Sequence, residues 1–119
     1  MGIIKKFKSL LHDDWCSNCQ IEMTENYKQL FMLPMSVGHY ISHKNADYYK
    51  KNLVKVNSKK EIPISIYACG IKKYRCSKCG KSLVQLSIFL PVRDQEKYEE
   101  TIYYKNGELD TFIEDNRKI

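Results

Sequence analysis

The amino-acid sequence predicts an α+β fold made mainly of antiparallel β hairpins, with an amphipathic helix at the N-terminus and a second, inserted helix. Two observations support this prediction: apolar residues alternate with polar ones in several short segments, and two Cys-x-x-Cys pairs stand where strands are expected to turn back. The chain has 119 residues, of which 43% are hydrophobic and 29% charged, as in an ordinary globular domain. We therefore expect a single domain over residues 1–119.

Residues 1–11 are expected to form the N-terminal helix. Lysines occupy one side of this segment, and apolar residues recur at helical spacing on the other. These apolar residues are Ile3, Ile4, Phe7, Leu10 and Leu11. We expect this stripe to dock on the core of the domain or on a second copy, and the alternative is an anionic membrane surface.

Residues 12–93 are predicted to form a ribbon of hairpins interrupted by a helix. Ile21 and Met23 alternate with polar residues, and a returning strand from Tyr27 to Leu33 is expected to end at Pro34. Asn45 is a candidate N-cap for a helix that runs through Val56.

Two further strands are expected to supply most of the core. In the first, Ile62, Ile64, Ile66 and Ala68 share one face and Cys69 lies on the other. In the second, every other residue is apolar: Val84, Leu86, Ile88, Leu90 and Val92.

Residues 94–119 are predicted to form an acidic C-terminal hairpin. The strands are expected at Thr101 to Tyr104 and at Glu108 to Ile113, with Asn106 and Gly107 as a type I′ turn between them. A terminal helix starting at Glu108 is the alternative.

The cysteines carry the clearest chemical signal. Cys76 and Cys79 are followed by Gly80 in a strand, Cys-x-x-Cys, glycine, strand pattern, in which two thiolates turn inward and the glycine permits the tight return. Together with Cys16 and Cys19 they supply four thiolates, which is a complete tetrahedral shell for one structural Zn²⁺.

These two motifs, Cys-Ser-Asn-Cys and Cys-Ser-Lys-Cys-Gly, resemble those of the zinc-ribbon superfamily. The resemblance implies hairpins of zinc-ribbon type that are clamped by the metal. The sequence departs from the family pattern in two respects. Fifty-six residues separate Cys19 from Cys76, where a compact ribbon has about 15 to 20. In addition, Gln20 stands where the first knuckle would carry a glycine.

Other uses of these thiols remain open. Trp15 directly before Cys16 and Cys19 is how a thioredoxin redox centre begins, although the strand and helix that should flank such a centre are not predicted here. Cys69 is an alternative metal ligand, or more simply a small buried residue. His39 and His43 have the i, i+4 spacing of a ligand pair, but surface or partly buried histidines are the simpler interpretation.

The charge is distributed unevenly. The chain carries a net charge of +6, and residues 1–93 hold 16 basic and 6 acidic residues, against 4 and 8 in residues 94–119. A basic surface around the second Cys pair is the predicted site for weak, non-sequence-specific binding of nucleic acid. It consists of Lys72, Lys73, Tyr74, Arg75, Lys78 and Lys81.

The alternative function is a protein-interaction or regulatory module, in which a hairpin edge meets a partner or a second copy in a homodimer. We expect no enzyme, because no catalytic constellation or phosphate-binding glycine loop is recognisable, and no small-molecule substrate is inferred.

The compartment is expected to be cytoplasmic. The longest uncharged stretch, Ser82 to Val92, is too short to span a bilayer, and the N-terminus lacks a continuous apolar signal region. An odd number of cysteines also argues against a disulfide framework.

Overall fold

A computed structural model describes residues 15–91, 97–105 and 107–117, and β-strands dominate this part of the chain. The elements in chain order are β1 (Trp15–Cys16), β2 (Ile21–Glu22), β3 (Thr24–Ser36), α1 (Ala46–Asn52), β4 (Val54–Lys55), a 3₁₀ turn (Lys59–Glu61), β5 (Ile66–Arg75), β6 (Ser82–Leu90), β7 (Lys97–Tyr104) and α2 (Asp110–Arg117).

One antiparallel sheet of five strands, in the order β4-β3-β5-β6-β7, organises the molecule. Strands β1 and β2 form a separate two-stranded ladder in which Cys16 pairs with Ile21. The longest pairing joins β3 to β5 and runs from Thr24 opposite Arg75 to Ser36 opposite Ile66. The first Cys pair therefore precedes the start of β3, the second pair follows the end of β5, and these two strand ends lie side by side.

One face of the sheet, here named the helix face, carries the main core. Alternate residues of β3, β5, β6 and β7 point to this face and are buried against residues of α1 and α2. Tyr49 of α1 and Ile113 of α2 are both fully buried here, and the rings of Phe31 and Phe112 lie 5.4 Å apart. The predicted apolar face of β6 is confirmed for Val84, Leu86 and Ile88, each at most 4% exposed, and for Leu90, which is partly buried against the same core. Val92 lies outside the described residues.

Residues that the structure describes cover the opposite face, here named the open face, at one end only. Val56 and Ile62, which flank the 3₁₀ turn, pack there against Ala68 and Phe89. The rest of this face carries longer polar side chains and forms a groove.

The connection between β3 and α1 is held to β7 by one carboxylate. Glu100 accepts hydrogen bonds from the hydroxyl of Tyr40, from Ser42 Oγ at 2.7 and 3.0 Å and from the Lys44 ammonium. The Tyr104 hydroxyl also donates to the Lys44 carbonyl at 3.1 Å. These bonds fix a long connection against the helix face.

The predicted fold class is wrong in its architecture. The strands do not form separate hairpins of a zinc ribbon with two substantial helices, because the apolar faces of β3, β5, β6 and β7 all join one sheet and only two short helices are described. The predicted N-terminal helix over residues 1–11 lies outside the described residues.

The inserted helix is present but shorter than predicted. Asn45 caps it as expected, since its side chain accepts a hydrogen bond from the Asp47 N–H at 2.9 Å. The helix ends at Asn52 because Leu53 is extended. Val54 of β4 then pairs with Met32 of β3.

The predicted C-terminal hairpin is also wrong, and the alternative, a terminal helix near Glu108, agrees with the structure. Its first strand is longer than expected and joins the main sheet as β7, whereas its second strand is replaced by α2. Leu109, Phe112 and Ile113 follow i, i+3, i+4 spacing, and this pattern places all three on the core side of a helix. Gly107 (φ 78°) makes the turn, and its carbonyl accepts from the Asp110 N–H at 3.2 Å.

Two strand boundaries differ from the prediction as well. The strand expected at Ile62 begins only at Ile66, because the chain turns between Pro63 and Ile66, where the Ile66 N–H donates to the Pro63 carbonyl at 3.0 Å. Ile64 is consequently 84% exposed. Pro34 does not end β3 either, since the strand accommodates it at an irregularity between Leu33 and Ser36.

Candidate metal centre

Two turns of matching geometry carry the four cysteines. In the first, the Gln20 N–H donates to the Cys16 carbonyl at 2.8 Å, and in the second the Gly80 N–H donates to the Cys76 carbonyl at 2.9 Å. The first turn connects β1 to β2 and the second connects β5 to β6. Each turn therefore brings the second cysteine back beside the first.

The two turns differ in the residue that makes the return. Gln20 (φ 57°) and Gly80 (φ 78°) occupy the same left-handed region, which side chains other than glycine adopt at a cost. The side-chain amide of Gln20 donates to the Ser17 carbonyl at 2.5 Å and so closes the turn from outside. This bond explains how the first knuckle forms without the glycine that its sequence pattern calls for.

The two turns converge on a single cluster of sulfur atoms. The Sγ atoms of Cys16, Cys19, Cys76 and Cys79 all lie within 4.8 Å of one another, and those of Cys16 and Cys79 are 3.8 Å apart. Cys16 and Cys76 are fully buried, Cys19 is half-buried and Cys79 is exposed. The four cysteines are thus arranged to hold one metal ion at the end of the sheet where β3 begins and β5 ends.

An apolar layer supports this cluster from below. Met23 and Tyr74 are buried against Cys16 and Cys76, and Leu83 packs on the same group. Met23 directly precedes β3 and Tyr74 is a residue of β5, so the layer also connects the cluster to the main sheet. The main sheet therefore positions the sulfur atoms through this apolar layer.

Backbone dipoles favour negative charge on one of the sulfurs. The N–H groups of Cys79 and Lys78 donate to Cys76 and lower the pKa of its thiol to about 6, although its burial acts in the opposite direction. The hydrogen bond with Cys79 and partial desolvation raise the pKa of Cys19 to about 12. Four thiolates within 4.8 Å of one another repel each other, so a cation is needed before all four can carry their charge together.

The other candidate ligands lie elsewhere. Cys69 is fully buried in the helix face, where burial raises the pKa of its thiol well above the ordinary value. His43 stacks on Tyr48 with ring centroids 3.6 Å apart, and His39 is exposed. Among residues 15–91, 97–105 and 107–117, the four cysteines are the one group of three or more that could hold a metal ion.

The thiol redox alternative finds no support in the local fold. Cys16 and Cys19 lie on a turn between two short antiparallel strands, whereas a thioredoxin-type pair opens a helix after a buried strand. Their sulfurs also share one cluster with those of Cys76 and Cys79.

The structure separates the residues of the predicted nucleic-acid site. Lys73 points to the helix face and binds Asp110 of α2 at 3.0 Å, and Tyr74 is buried below the metal cluster. Arg75 and Lys78 are exposed near the second turn, and Lys81 is half-buried there. Lys72 points to the open face, because neighbouring residues of a strand face opposite sides.

Sequence reasoning missed Lys28, which lies directly opposite Lys72 in the pairing of β3 with β5. The two residues are distant in the chain, and no local pattern connects them. Only the register of two strands separated by α1 and β4 could have identified this pair.

Comparison with known proteins gives no relative for this chain. No protein-family model, curated protein or solved structure matches it. In the described part of the chain, no helix is long and apolar enough to cross a membrane.

Proposed function

We propose that this chain is a non-enzymatic binding module in which one structural Zn²⁺, held by Cys16, Cys19, Cys76 and Cys79, fixes a basic sheet that binds nucleic acid. The observation that carries the proposal is the convergence of four sulfur atoms within 4.8 Å. Four thiolates favour Zn²⁺ and fill its tetrahedral shell, so they leave no open position for a substrate.

A structural role for the metal agrees with where the ligands come from. One cysteine pair precedes β3 and the other follows β5, and 56 residues of chain separate them. A metal bound by both pairs stabilises the folded state and not the separated pairs of the unfolded chain.

The metal part of the proposal is tested by elemental analysis and by two cysteine variants. Protein purified without chelator is expected to contain one zinc per chain. Cys76→Ser should remove the metal and lower the free energy of unfolding by at least about 3 kcal/mol. Cys69→Ala is the matched control, because it removes a buried sulfur outside the cluster, should keep the metal and should cost about 1 kcal/mol.

Protein without metal, or equal losses for the two variants, would contradict this assignment of the ligands.

Nucleic-acid binding is supported by charge and by its placement. The chain carries a net charge of +6, and Lys28, Lys72, Arg75 and Lys78 belong to one end of the β3–β5–β6 sheet. Lysine and arginine neutralise phosphates, and release of counterions makes such binding fall steeply with salt. Fluorescence anisotropy of labelled single-stranded oligonucleotides at several salt concentrations tests this part, and salt-independent or absent binding would contradict it.

The second candidate function is a homodimer through the sheet edge. Strand β7 is an edge strand of eight residues, and an edge strand offers unpaired backbone groups to a partner strand. Its exposed Lys97 and Glu99 place charges along that edge, which opposes pairing. Sedimentation of the metal-loaded protein distinguishes the two candidates, since a stable dimer would favour the edge.

A further inference from the structure

The open face of the sheet contains a groove of about 750 Å³, which is within the usual range for ligand sites. Three lysines, Lys28, Lys59 and Lys72, line it, and among its lining residues in the described part of the chain there is no carboxylate. From this groove we infer that a single strand of nucleic acid lies along the open face, so that the groove, and not the second Cys turn, is the main binding site. This inference rests on the proposed nucleic-acid function.

A seat for phosphate lies at the end of the groove nearer the metal cluster. Lys28 of β3 and Lys72 of β5 are directly opposite each other on the same face. Like charges in opposite positions of a sheet destabilise it, and the Glu25 carboxylate, 4.0 Å from Lys72, offsets only part of this repulsion. A phosphate between the two ammonium groups neutralises both.

The middle of the groove has a low floor, which is polar on the side of β6 and β7. Leu30, Gly70, Ser87 and Thr101 stand in one row across four strands. Gly70 has no side chain to fill the space above it, and the hydroxyls of Ser87 and Thr101 lie 3.4 Å apart. This row leaves room for the sugar-phosphate backbone of a nucleic-acid strand to lie close to the sheet, and its hydroxyl groups can bind that backbone.

An aromatic pair lies at the far end. Phe89 and Tyr98 are cross-strand partners with ring centroids 5.5 Å apart, and the Lys59 ammonium lies 5.5 Å from the Phe89 centroid. Phe89 is buried, but Tyr98 is 56% exposed and presents its ring to a ligand. Exposed aromatic rings stack with the bases of single strands, which duplexes keep inside the helix.

The distance between the lysine end and the aromatic end of the groove suits a short length of single-stranded nucleic acid. The row of Lys28 and Lys72 is four residues of β5 away from the row of Ala68 and Phe89. Four residues of an extended strand span about 13 Å. A phosphate on the lysines and a base on Tyr98 can therefore belong to neighbouring nucleotides.

The test compares two double variants that remove the same charge. Lys28→Ala with Lys72→Ala removes two positive charges from the groove, and Arg75→Ala with Lys78→Ala removes two from the second Cys turn. Anisotropy is measured with short mixed-sequence single-stranded oligonucleotides, and metal content and unfolding check that each variant is folded. We expect the groove variant to weaken binding at least about tenfold and to reduce the salt slope by about 1 to 2, and the turn variant to change both less.

A third variant tests the aromatic end without a change of charge. Tyr98→Ala should weaken binding about fivefold to a hundredfold with the salt slope unchanged, and Tyr98→Phe should retain the affinity.

The outcomes separate this inference from the proposed function. Loss of binding in the turn variant alone would overturn the groove as the site and leave nucleic-acid binding intact. A free mononucleotide that binds as tightly as the oligonucleotide would overturn the assignment to a strand. Absence of any salt-dependent binding by the intact protein would overturn both proposals.

Discussion

Gln20 has the least expected backbone conformation of any residue in the metal centre. Its φ of 57° corresponds to that of Gly80 in the second turn, so the two turns adopt one geometry with different residues. The side chain contributes a hydrogen bond to Ser17 that glycine could not make. The sequence identified the four cysteines, but it gave no account of Gln20, because a backbone angle depends on the turn that the whole segment adopts.

This geometry leads to a prediction for Gln20. Gln20→Gly should change the free energy of unfolding by less than about 1 kcal/mol, because relief of the left-handed conformation offsets the lost hydrogen bond and the greater freedom of the unfolded chain. Gln20→Val should cost about 2 kcal/mol or more, since a β-branched residue is poorly tolerated at this angle. Chemical denaturation of the metal-loaded proteins measures both, and a well-tolerated valine would show that the turn is not held in this conformation.

Glu100 is predicted to make the free energy of unfolding depend on pH in the acidic range. Burial alone would raise the pKa of this carboxyl, but hydrogen bonds from Lys44, Tyr40 and Ser42 outweigh it and lower the pKa below the ordinary value. A lowered pKa in the folded state contributes stability above the ordinary value of the group, and this contribution is lost as the pH falls. Glu100→Gln should therefore cost about 1 to 3 kcal/mol at neutral pH.

The difference between Glu100→Gln and the unchanged protein should shrink as the pH falls below about 4. Denaturation curves at several pH values measure it, and Glu114→Gln on the exposed side of α2 is the control. A difference that is independent of pH would mean that the charge of Glu100 does not hold the connection.

At the scale of single elements, α2 shows how a short apolar pattern can be misread. Residues Glu108 to Ile113 fit a strand only if Leu109, Thr111 and Ile113 are compared. The half-buried Phe112, one position before Ile113, fits a helix instead, and Gly107 in a left-handed conformation is compatible with either continuation. Burial against β3 decides between them, and that contact lies far away in the chain.

The packing of α2 gives a prediction for this element. Ile113→Ala should lower the free energy of unfolding by about 2 to 4 kcal/mol, because Ile113 is fully buried against the sheet. Asp115→Ala on the exposed side is the matched control and should stay within about 0.5 kcal/mol. Equal and small effects in thermal or chemical denaturation would mean that α2 does not cover the helix face.

At the scale of the whole molecule, the metal is expected to couple two segments, around Cys16 and around Cys76, that are distant in the chain. Removal of the metal with a strong chelator should lower the melting temperature substantially, and Zn²⁺ but not Mg²⁺ should restore it, because thiolates prefer softer ions. The thiols must lose protons to bind, so protons compete with the metal and the stabilisation should be lost as the pH falls. Calorimetry with and without chelator measures this, and an unchanged melting temperature would contradict the structural role.

The overall architecture was the least predictable level. The alternation in β6 was visible in the sequence and is confirmed, but the order β4-β3-β5-β6-β7 depends on pairings between distant segments. The groove is a product of that order, since Lys28 and Lys72 become neighbours only when β3 lies beside β5. Local patterns determine which residues lie on one face of a strand, and they carry no information about which strand lies next to it.

The position of the metal cluster has a consequence for slippage of β3 along β5. A slip by one residue moves every side chain of a strand to the opposite face of the sheet. This change costs least where both faces are apolar, as they are in β5 at Tyr67, Ala68, Cys69 and Ile71. A slip by one residue would shift the first Cys pair by about 3.3 Å relative to the second, which is too far for one ion to bind all four sulfurs in the distances it requires. Metal binding is therefore compatible only with the correct alignment of β3 and β5. The metal-free chain is expected to populate several alignments, whereas the metal-loaded chain has one.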